Sequence, residues 1–353
     1  MRRIVVAMSG GVDSSTSAAI LKAQGYEVLG ITLKLYDDGL IEGKKGACCA
    51  GIDIHDAQVA AEKIGIPHYV FDYGSRFKEE VIDDFVDSYL SGETPIPCIK
   101  CNQKIKFLDL LRAARELGAD SLATGHYVRK VAGDLEAELH KGMDASKDQS
   151  YFMFTTTKEQ LDFLQFPVGE MNKSRTRELA KEYGLEIAEK PDSQDICFVS
   201  DNYKNFIKKI SPLANIKGDI VYKDGRILAR HEGISNFTIG QRRGIGTFGN
   251  KPLYVISINE KENQVIVGDK EDLLSNKLSI RDINLLSNYI SEEIECTVKL
   301  RSAHIGSKAT VSFANDKRHA SIMLHEPYAG IAPGQACVMY DGTRVLGGGW
   351  IAK

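Results

Sequence analysis

The chain has 353 residues with 45 Lys and Arg against 48 Asp and Glu, a formal charge of −3. At roughly 150 residues per domain that length predicts two or three domains. An apolar content of 43% sits near the globular norm and argues against a disordered, collagen-like or membrane-spanning chain, while the near-neutral balance excludes a histone-like polycation.

In chain order, Ile4 to Met8 reads as a buried strand, Val12 to Gln24 as a helix closed by Gly25, and Val28 to Leu35 as the next strand. Asp53 to Ile64 reads as a helix, His68 to Phe71 as a strand, Arg76 to Leu90 and Lys104 to Leu117 as helices, Ser121 to Thr124 as a strand and Ser174 to Tyr183 as a helix. This alternation predicts a parallel sheet sandwiched by helices. Beyond about Asp201 helical periodicity fades. Leu253 to Ile258 and Gln264 to Val267 flank a turn, and short alternating runs follow from Leu278 onward. The expected organisation is an α/β domain over 1–201, a small central domain over 202–272 and an antiparallel, barrel-like β domain over 275–353. The opening apolar run stops at Ser9, short of the roughly 7–15 residues of a signal-peptide core. Seven cysteines, an odd number with no dense framework, predict a reduced, cytoplasmic setting.

Ser9-Gly10-Gly11-Val12-Asp13-Ser14-Ser15 joins the first strand to the first helix. Two glycines let backbone N–H groups approach an anion, and the serines fall in the first helical turn, so the string reads as a phosphate cradle. It lacks the Walker-type lysine. Gly244-Ile245-Gly246-Thr247-Phe248-Gly249 matches the dinucleotide fingerprint in letters but has no helix after it, and reads as a loop.

Pro95-Ile96-Pro97-Cys98-Ile99-Lys100-Cys101-Asn102 places two thiols on a proline-stiffened turn expected just ahead of the helix that starts near Lys104. A helix N-terminus favours the thiolate, so both read as reactive. A third thiol, Cys197, lies in Asp192-Ser193-Gln194-Asp195-Ile196-Cys197-Phe198. Cys48 and Cys49 read as loop thiols, Cys296 and Cys337 as strand core.

The loop string resembles the PP-loop of ATP pyrophosphatases. Together with the two thiol segments, and with Gly125-His126-Tyr127, Lys147-Asp148-Gln149-Ser150-Tyr151-Phe152, Phe166-Pro167-Val168-Gly169, Thr238-Ile239-Gly240-Gln241-Arg242, Pro333-Gly334-Gln335 and Leu346-Gly347-Gly348-Gly349, it is similar to the tRNA-specific 2-thiouridylases over nearly the whole chain. The resemblance implies an ATP- and Mg2+-dependent sulfurtransferase that adenylates O2 of the wobble uridine and replaces it with sulfur. ATP would be bound by Ala7, Met8, Ser9, Gly10, Gly11, Val12, Asp13 and Ser14, with Leu33 and Gly125 bordering the adenosine. Cys197 would carry a persulfide handed over by a sulfur-relay protein, Cys101 would act as nucleophile, and the two would end as a disulfide. Ile96, Pro97, Cys98, His126, Lys147, Asp148, Gln149, Arg301, Ser302 and Gln335 would contact the tRNA near its flipped base. Cys98 stands where a branch of the family carries an aspartate proposed as acid/base. An alternative stays open, in which Cys98, Cys101 and Cys197 ligate an iron-sulfur cluster. Two rival readings are another PP-loop ligase of the argininosuccinate- or GMP-synthetase kind, which leaves the thiols without a role, and a non-catalytic RNA-binding module, which leaves the loop without one.

For RNA binding the chain offers short basic pairs such as Arg129-Lys130 and Lys317-Arg318. Residues 276–353 carry 9 Lys and Arg against 7 Asp and Glu, or +2, while the remainder carries 36 against 41, or −5. The asymmetry has the sign that phosphate contacts require, but it is small.

Overall fold

The structure is a computed structural model that describes residues 1–36, 51–192, 196–199, 202–246, 251–287 and 291–353. The chain divides into two units: 1–81 with 98–200 and 343–345, and 82–97 with 201–342 and 346–353.

In the first unit an apolar run too short for a helix and buried on both faces forms the central strand β1 (Arg3–Ala7). It pairs in parallel with β2 (Glu27–Lys34) on one side and β4 (Ser121–Thr124) on the other. β3 (His68–Asp72) extends the sheet beyond β2, and β7 (Leu164–Gln165) extends it beyond β4. The order is β3-β2-β1-β4-β7. Helix α1 (Val12–Ala23), helix α2 (Gly51–Ile64) and the helix Lys173–Glu182 contribute alanines to the core, among them Ala18, Ala57 and Ala180, all fully buried. Such small side chains bring the helix backbones close to the sheet. An antiparallel hairpin, β5 (Val128–Ala132) and β6 (Ala137–Lys141), follows β4.

In the second unit the helix Tyr203–Ile210 precedes a sheet of β8 (Gly218–Tyr222), β9 (Ile227–His231), β10 (Tyr254–Asn259) and β11 (Gln264–Gly268), ordered β10-β11-β8-β9. That helix departs from the expectation of fading helicity. Tyr203, Phe206, Ile207 and Ile210 follow the i, i+3, i+4, i+7 spacing, and the Asn202 side chain caps the start by accepting from the Lys204 N–H at 2.9 Å. The remaining strands are β12 (Leu274–Leu285), β13 (Glu293–Lys299), β14 (Ser307–Phe313), β15 (Ala320–Ala329), β16 (Ala336–Asp341) and β17 (Arg344–Ile351). They run β12-β15-β14-β13-β16-β17, and β12 pairs with β17 to close a six-stranded barrel. Closure removes the exposed edges that an open sheet would present. Cys296 and Cys337 lie in the barrel core as expected, and burial pushes the Cys296 thiol up to about 12. Among the described residues no helix is long and apolar enough to cross a membrane.

Candidate active site

The chain leaves β1, builds β2 and β3 to one side, and later returns to place β4 on the other. The gap outside the carboxyl ends of β1 and β4 is therefore a topological switch point, the place where open α/β sheets bind ligands. The loop Ser9–Gly11 leaves β1 at this gap, and Gly125 directly follows β4. Gly10 has φ of +72°, and a Cβ there would stand 2.1 Å from the Asp53 carbonyl oxygen, so only glycine fits. The Ser14 hydroxyl accepts from the Ser9 N–H at 3.1 Å and donates to the Gly11 carbonyl at 3.2 Å, stapling the loop onto α1. Gly11 at the N-cap offers no side chain to the first-turn N–H groups of α1, leaving them for an anion. A Cβ on Gly125 would lie 2.6 Å from the Ser14 nitrogen, so β4 presses its glycine against the same turn. Leu33 is buried in β2, and Ser15 is buried within α1.

A cluster of charges surrounds this loop. The Asp13 carboxylate accepts from the Tyr127 hydroxyl at 2.7 Å and from Lys173 Nζ at 2.7 and 2.8 Å. Lys173 also reaches Asp192 at 2.7 Å, where Lys147 at 2.7 Å and Arg177 at 3.0 Å converge. Burial alone would raise the Asp192 pKa, but hydrogen bonds from Lys147 and Lys173 outweigh it and hold the carboxyl at about 2. Burial, with Asp13 beside it, drives the Tyr127 phenol far above its usual range. On the other side of the loop Lys190 donates to the Gly10 carbonyl at 3.0 Å and to Asp53 and Asp56 of α2, each at 2.5 Å. Burial would lower the Lys190 pKa, yet these two carboxylates raise it. Lys173, Lys190 and Asp192 were not singled out from the sequence. Their partners lie up to 180 positions away, as Lys190 does from Gly10, so no local pattern announces them.

The first thiol pair is placed differently from the expectation. The helix begins at Pro97 rather than near Lys104: one α turn, Pro97–Lys100, runs into π-helical turns over Cys101–Leu110 and an α segment Leu111–Glu116. Proline at the first helical position has its φ preset and loses no hydrogen bond there, which is why the helix can start at Pro97. Cys98 is exposed in the first turn and Cys101 is buried one turn further in. The neighbouring Asn102 is buried and donates to the Phe152 carbonyl at 3.1 Å, tying this turn to the Ser150–Met153 segment. Cys197 is half-buried. Its carbonyl accepts from the Tyr36 hydroxyl at 3.3 Å, and the next residue, Phe198, is buried edge-on to Phe77 with ring centres 5.7 Å apart. Phe198 therefore anchors the segment and Cys197 is not needed as core. Cys48, Cys49 and Ser193 to Asp195 lie outside the described residues, as do the last three residues of the Gly244–Gly249 string.

Among the described residues no three His, Cys, Asp or Glu side chains gather as a metal site, so Cys98, Cys101 and Cys197 do not form a cluster ligand set in this arrangement. Mg2+ differs, since it is commonly held by one or two carboxylates plus substrate phosphates, and Asp13 beside the cradle fits that requirement.

The residues that the resemblance assigns to tRNA divide by unit. In the first, His126 Nδ1 lies 2.8 Å from Thr124 Oγ1, and burial with Lys106 nearby lowers the imidazole to about 3, so it is neutral. Asp148 accepts from the Gly142 and Ser150 N–H groups, and Gln149 accepts from the Tyr127 N–H at 2.8 Å, so both hold the loop that presents Lys147. In the second unit Thr94 donates its N–H to the Pro333 carbonyl at 2.8 Å and accepts from Gln335 Nε2 at 2.9 Å, which brings Gln335 beside the segment leading to Ile96 and Pro97. Arg301 and Ser302 are exposed, with the Arg301 guanidinium 5.6 Å from the Tyr328 ring centre. A cleft of about 370 Å³ lined by Asp72, Tyr73, Arg76, Asp109, Arg112 and Glu116 contains none of the loop or thiol residues. Its charges are mutually opposed, and Arg76 is already spent on Glu80 and Asp109.

Three family models match in succession: the tRNA methyl transferase HUP domain over residues 2–201, the tRNA methyl transferase PRC-barrel domain over 204–269 and the Aminomethyltransferase beta-barrel domain over 275–351. The tRNA-specific 2-thiouridylase MnmA of Rickettsia canadensis (strain McKiel) is 59% identical over 353 residues, covering 99% of this chain and 96% of that protein. The protein of the same name from Rickettsia africae (strain ESF-5) is 58% identical over 354 residues with the same coverage. The chain belongs to the tRNA-specific 2-thiouridylase family. Its fold is that of the three matched models: a parallel sheet between helices, a PRC-barrel domain and a closed six-stranded barrel. The methyl-transfer wording of the models and the thiolation named for these relatives disagree. The relatives carry more weight, since identity near 58% extends over 99% of this chain and 96% of each relative.

Proposed function

We propose that the protein is an ATP-dependent tRNA sulfurtransferase that converts the wobble uridine, U34, to 2-thiouridine, with AMP and pyrophosphate as the other products. The observation that carries the reading is the presence in one unit of an uncapped Gly10-Gly11 cradle with Asp13 at the switch point and of the thiols Cys98, Cys101 and Cys197. Methyl transfer would require neither feature. An argininosuccinate- or GMP-synthetase-like ligase would use the cradle but not the thiols, and a non-catalytic RNA-binding module would use neither.

A uridine carbonyl oxygen is a very poor leaving group. The oxygen first attacks the α-phosphorus of ATP, the electron pair of the breaking Pα–O bond departs with pyrophosphate, and O2 becomes an AMP ester. The cradle N–H groups would hold the phosphates, and Asp13 would hold Mg2+, which when bound supplies neutralisation of their charge. The outer sulfur of a Cys197 persulfide then attacks C2 and AMP leaves. The Cys101 thiolate attacks Cys197 Sγ, releasing the thiocarbonyl and forming a Cys101–Cys197 disulfide, which a reductant resets. The persulfide sulfur comes from a sulfur-relay protein in a reducing, cytoplasmic compartment. The buried setting of Cys101 inside its helix means that exposure of that thiol must accompany tRNA binding.

The tRNA would be held by Ile96, Pro97, Cys98, His126, Lys147 with its supports Asp148 and Gln149, Arg301, Ser302 and Gln335. Neutral His126 suits recognition of an uncharged base edge. The experiment is incubation with ATP, a persulfide-donating protein, a thiol reductant and unmodified tRNA, followed by electrophoresis in a mercury-containing gel. Retarded tRNA is expected with the wild type and lost with Cys197→Ala. No retardation with wild type, or equal retardation with the variant, overturns the reading.

A further inference from the structure

Lys173, Lys147 and Arg177 face Asp13 and Asp192, and Asp144 lies beside Lys147 and accepts from the Lys173 backbone N–H, so three cations meet three carboxylates and place, not net charge, sets Lys173 apart. Lys190 belongs to a separate group with Asp53, Asp56 and the Gly10 carbonyl. Lys173 is the most enclosed of the three, with its side chain 12% exposed and its Nζ within 2.8 Å of three carboxylate oxygens and 5.6 Å from the Tyr127 ring centre. Holding an ammonium largely out of water costs solvation, which its two aspartate partners offset, and it keeps a positive charge fixed at the start of α1. The nearest anion-receptive feature is the first turn of α1, to which Asp13 itself belongs.

We propose that Lys173 is a further residue of the ATP site, which neutralises the β- and γ-phosphates and the departing pyrophosphate, and that Asp192 is its positioning residue. The inference rests on the adenylation reading and names the side chain that reading lacks. When the Pα–O bond breaks, the electron pair goes to the bridging oxygen of pyrophosphate. An ammonium already held at the cradle stabilises that charge without reorganising. Asp192 draws Lys147, Lys173 and Arg177 to one point, and transfer of Lys173 to phosphate leaves the Asp13 carboxylate open to the cation that accompanies the nucleotide.

The test needs no turnover. Wild type, Lys173→Met and Lys173→Arg are titrated calorimetrically with magnesium pyrophosphate and, separately, with AMP. Lys181→Met, which alters an exposed lysine of the same helix, serves as control. Pyrophosphate affinity is expected to fall tenfold or more in Lys173→Met and by less in Lys173→Arg, with AMP affinity within twofold throughout and the control unchanged. Unchanged or tighter pyrophosphate binding by Lys173→Met would reduce Lys173 to a counter-ion of Asp13 and overturn the proposal. Equal losses for pyrophosphate and AMP would overturn it too, by assigning Lys173 to the fold. Lys173-dependent pyrophosphate binding in a wild-type protein that forms no AMP from ATP and tRNA would keep this assignment and sink the adenylation reading.

Discussion

Replacing Lys190 by Met tests whether the loop is held in shape by charge. Its ammonium bridges Asp53, Asp56 and the Gly10 carbonyl, with side chains 22%, 4% and 25% exposed for Lys190, Asp53 and Asp56. Stripping one partner from a buried ionic cluster costs about 3–5 kcal/mol, since the remaining charges stay desolvated. Water reaches a quarter of Lys190 and of Asp56, and this screening reduces the expected loss to about 2–3 kcal/mol. For a unit of this size each kcal/mol moves the midpoint by about 2–4 °C, so Lys190→Met should lower melting of the first unit by about 4–12 °C. The triple variant Lys190→Met, Asp53→Asn, Asp56→Asn removes the stranded charges and should regain at least half of that loss. Neither variant holds the Gly10 carbonyl, so ATP affinity should stay at least fivefold weaker in both. Thermal melts and equilibrium ATP binding are the assays. A Lys190→Met protein that binds ATP within twofold of wild type would refute the clamp, whatever its stability. Because the two aspartates raise the lysine pKa, this contribution is fully present below the ordinary lysine value and is lost only as pH rises through the higher folded one. The effect should therefore be constant between pH 6 and 9.

Gly125→Ala places a methyl 2.6 Å from the Ser14 nitrogen and 2.7 Å from the Asp13 carbonyl carbon, so ATP binding should weaken at least tenfold, measured by calorimetry, while the fold persists by circular dichroism. The folded pKa of His126 is depressed from 6.5 to about 3, so its contribution to stability is complete above the ordinary value and is lost progressively as pH falls toward the folded one. Melts of wild type and His126→Gln should diverge most near neutrality and converge by pH 4, and parallel curves would contradict this. Cys98→Asp should retain tRNA thiolation if that position serves proton transfer. Brown absorbance in oxygen-free preparations that disappears together with activity in this variant would instead assign Cys98 to a cluster, reached by a rearrangement of the three thiols.

The βαβ opening was legible because its signals are local: a five-residue apolar strand, two glycines and a helix of 3.6 periodicity lie within about twenty residues. Gly10 and Gly125 could be marked for a role, but the reason glycine is needed at each comes from the Asp53 carbonyl and from the Ser14 peptide. The helix onset at Pro97 reads as a turn in the sequence, since two prolines and two cysteines within seven residues look irregular until the π-helical turns beyond them are seen. The helix Tyr203–Ile210 carries an amphipathic signature, but eight residues give a periodic pattern little weight beside the β-rich text that follows.

Chain chemistry alone thus determined which groups are available: an anion cradle, a proline-led thiol pair and a third thiol beside an anchoring phenylalanine. Folding decided which of them are charged, buried or restrained. Asp13 meets Lys173 across 160 positions and Lys190 meets Gly10 across 180, and such pairings follow from the strand order β3-β2-β1-β4-β7 rather than from any spacing. Electrostatic interaction depends on distance through space and on exclusion of water, and neither quantity is written along a linear chain.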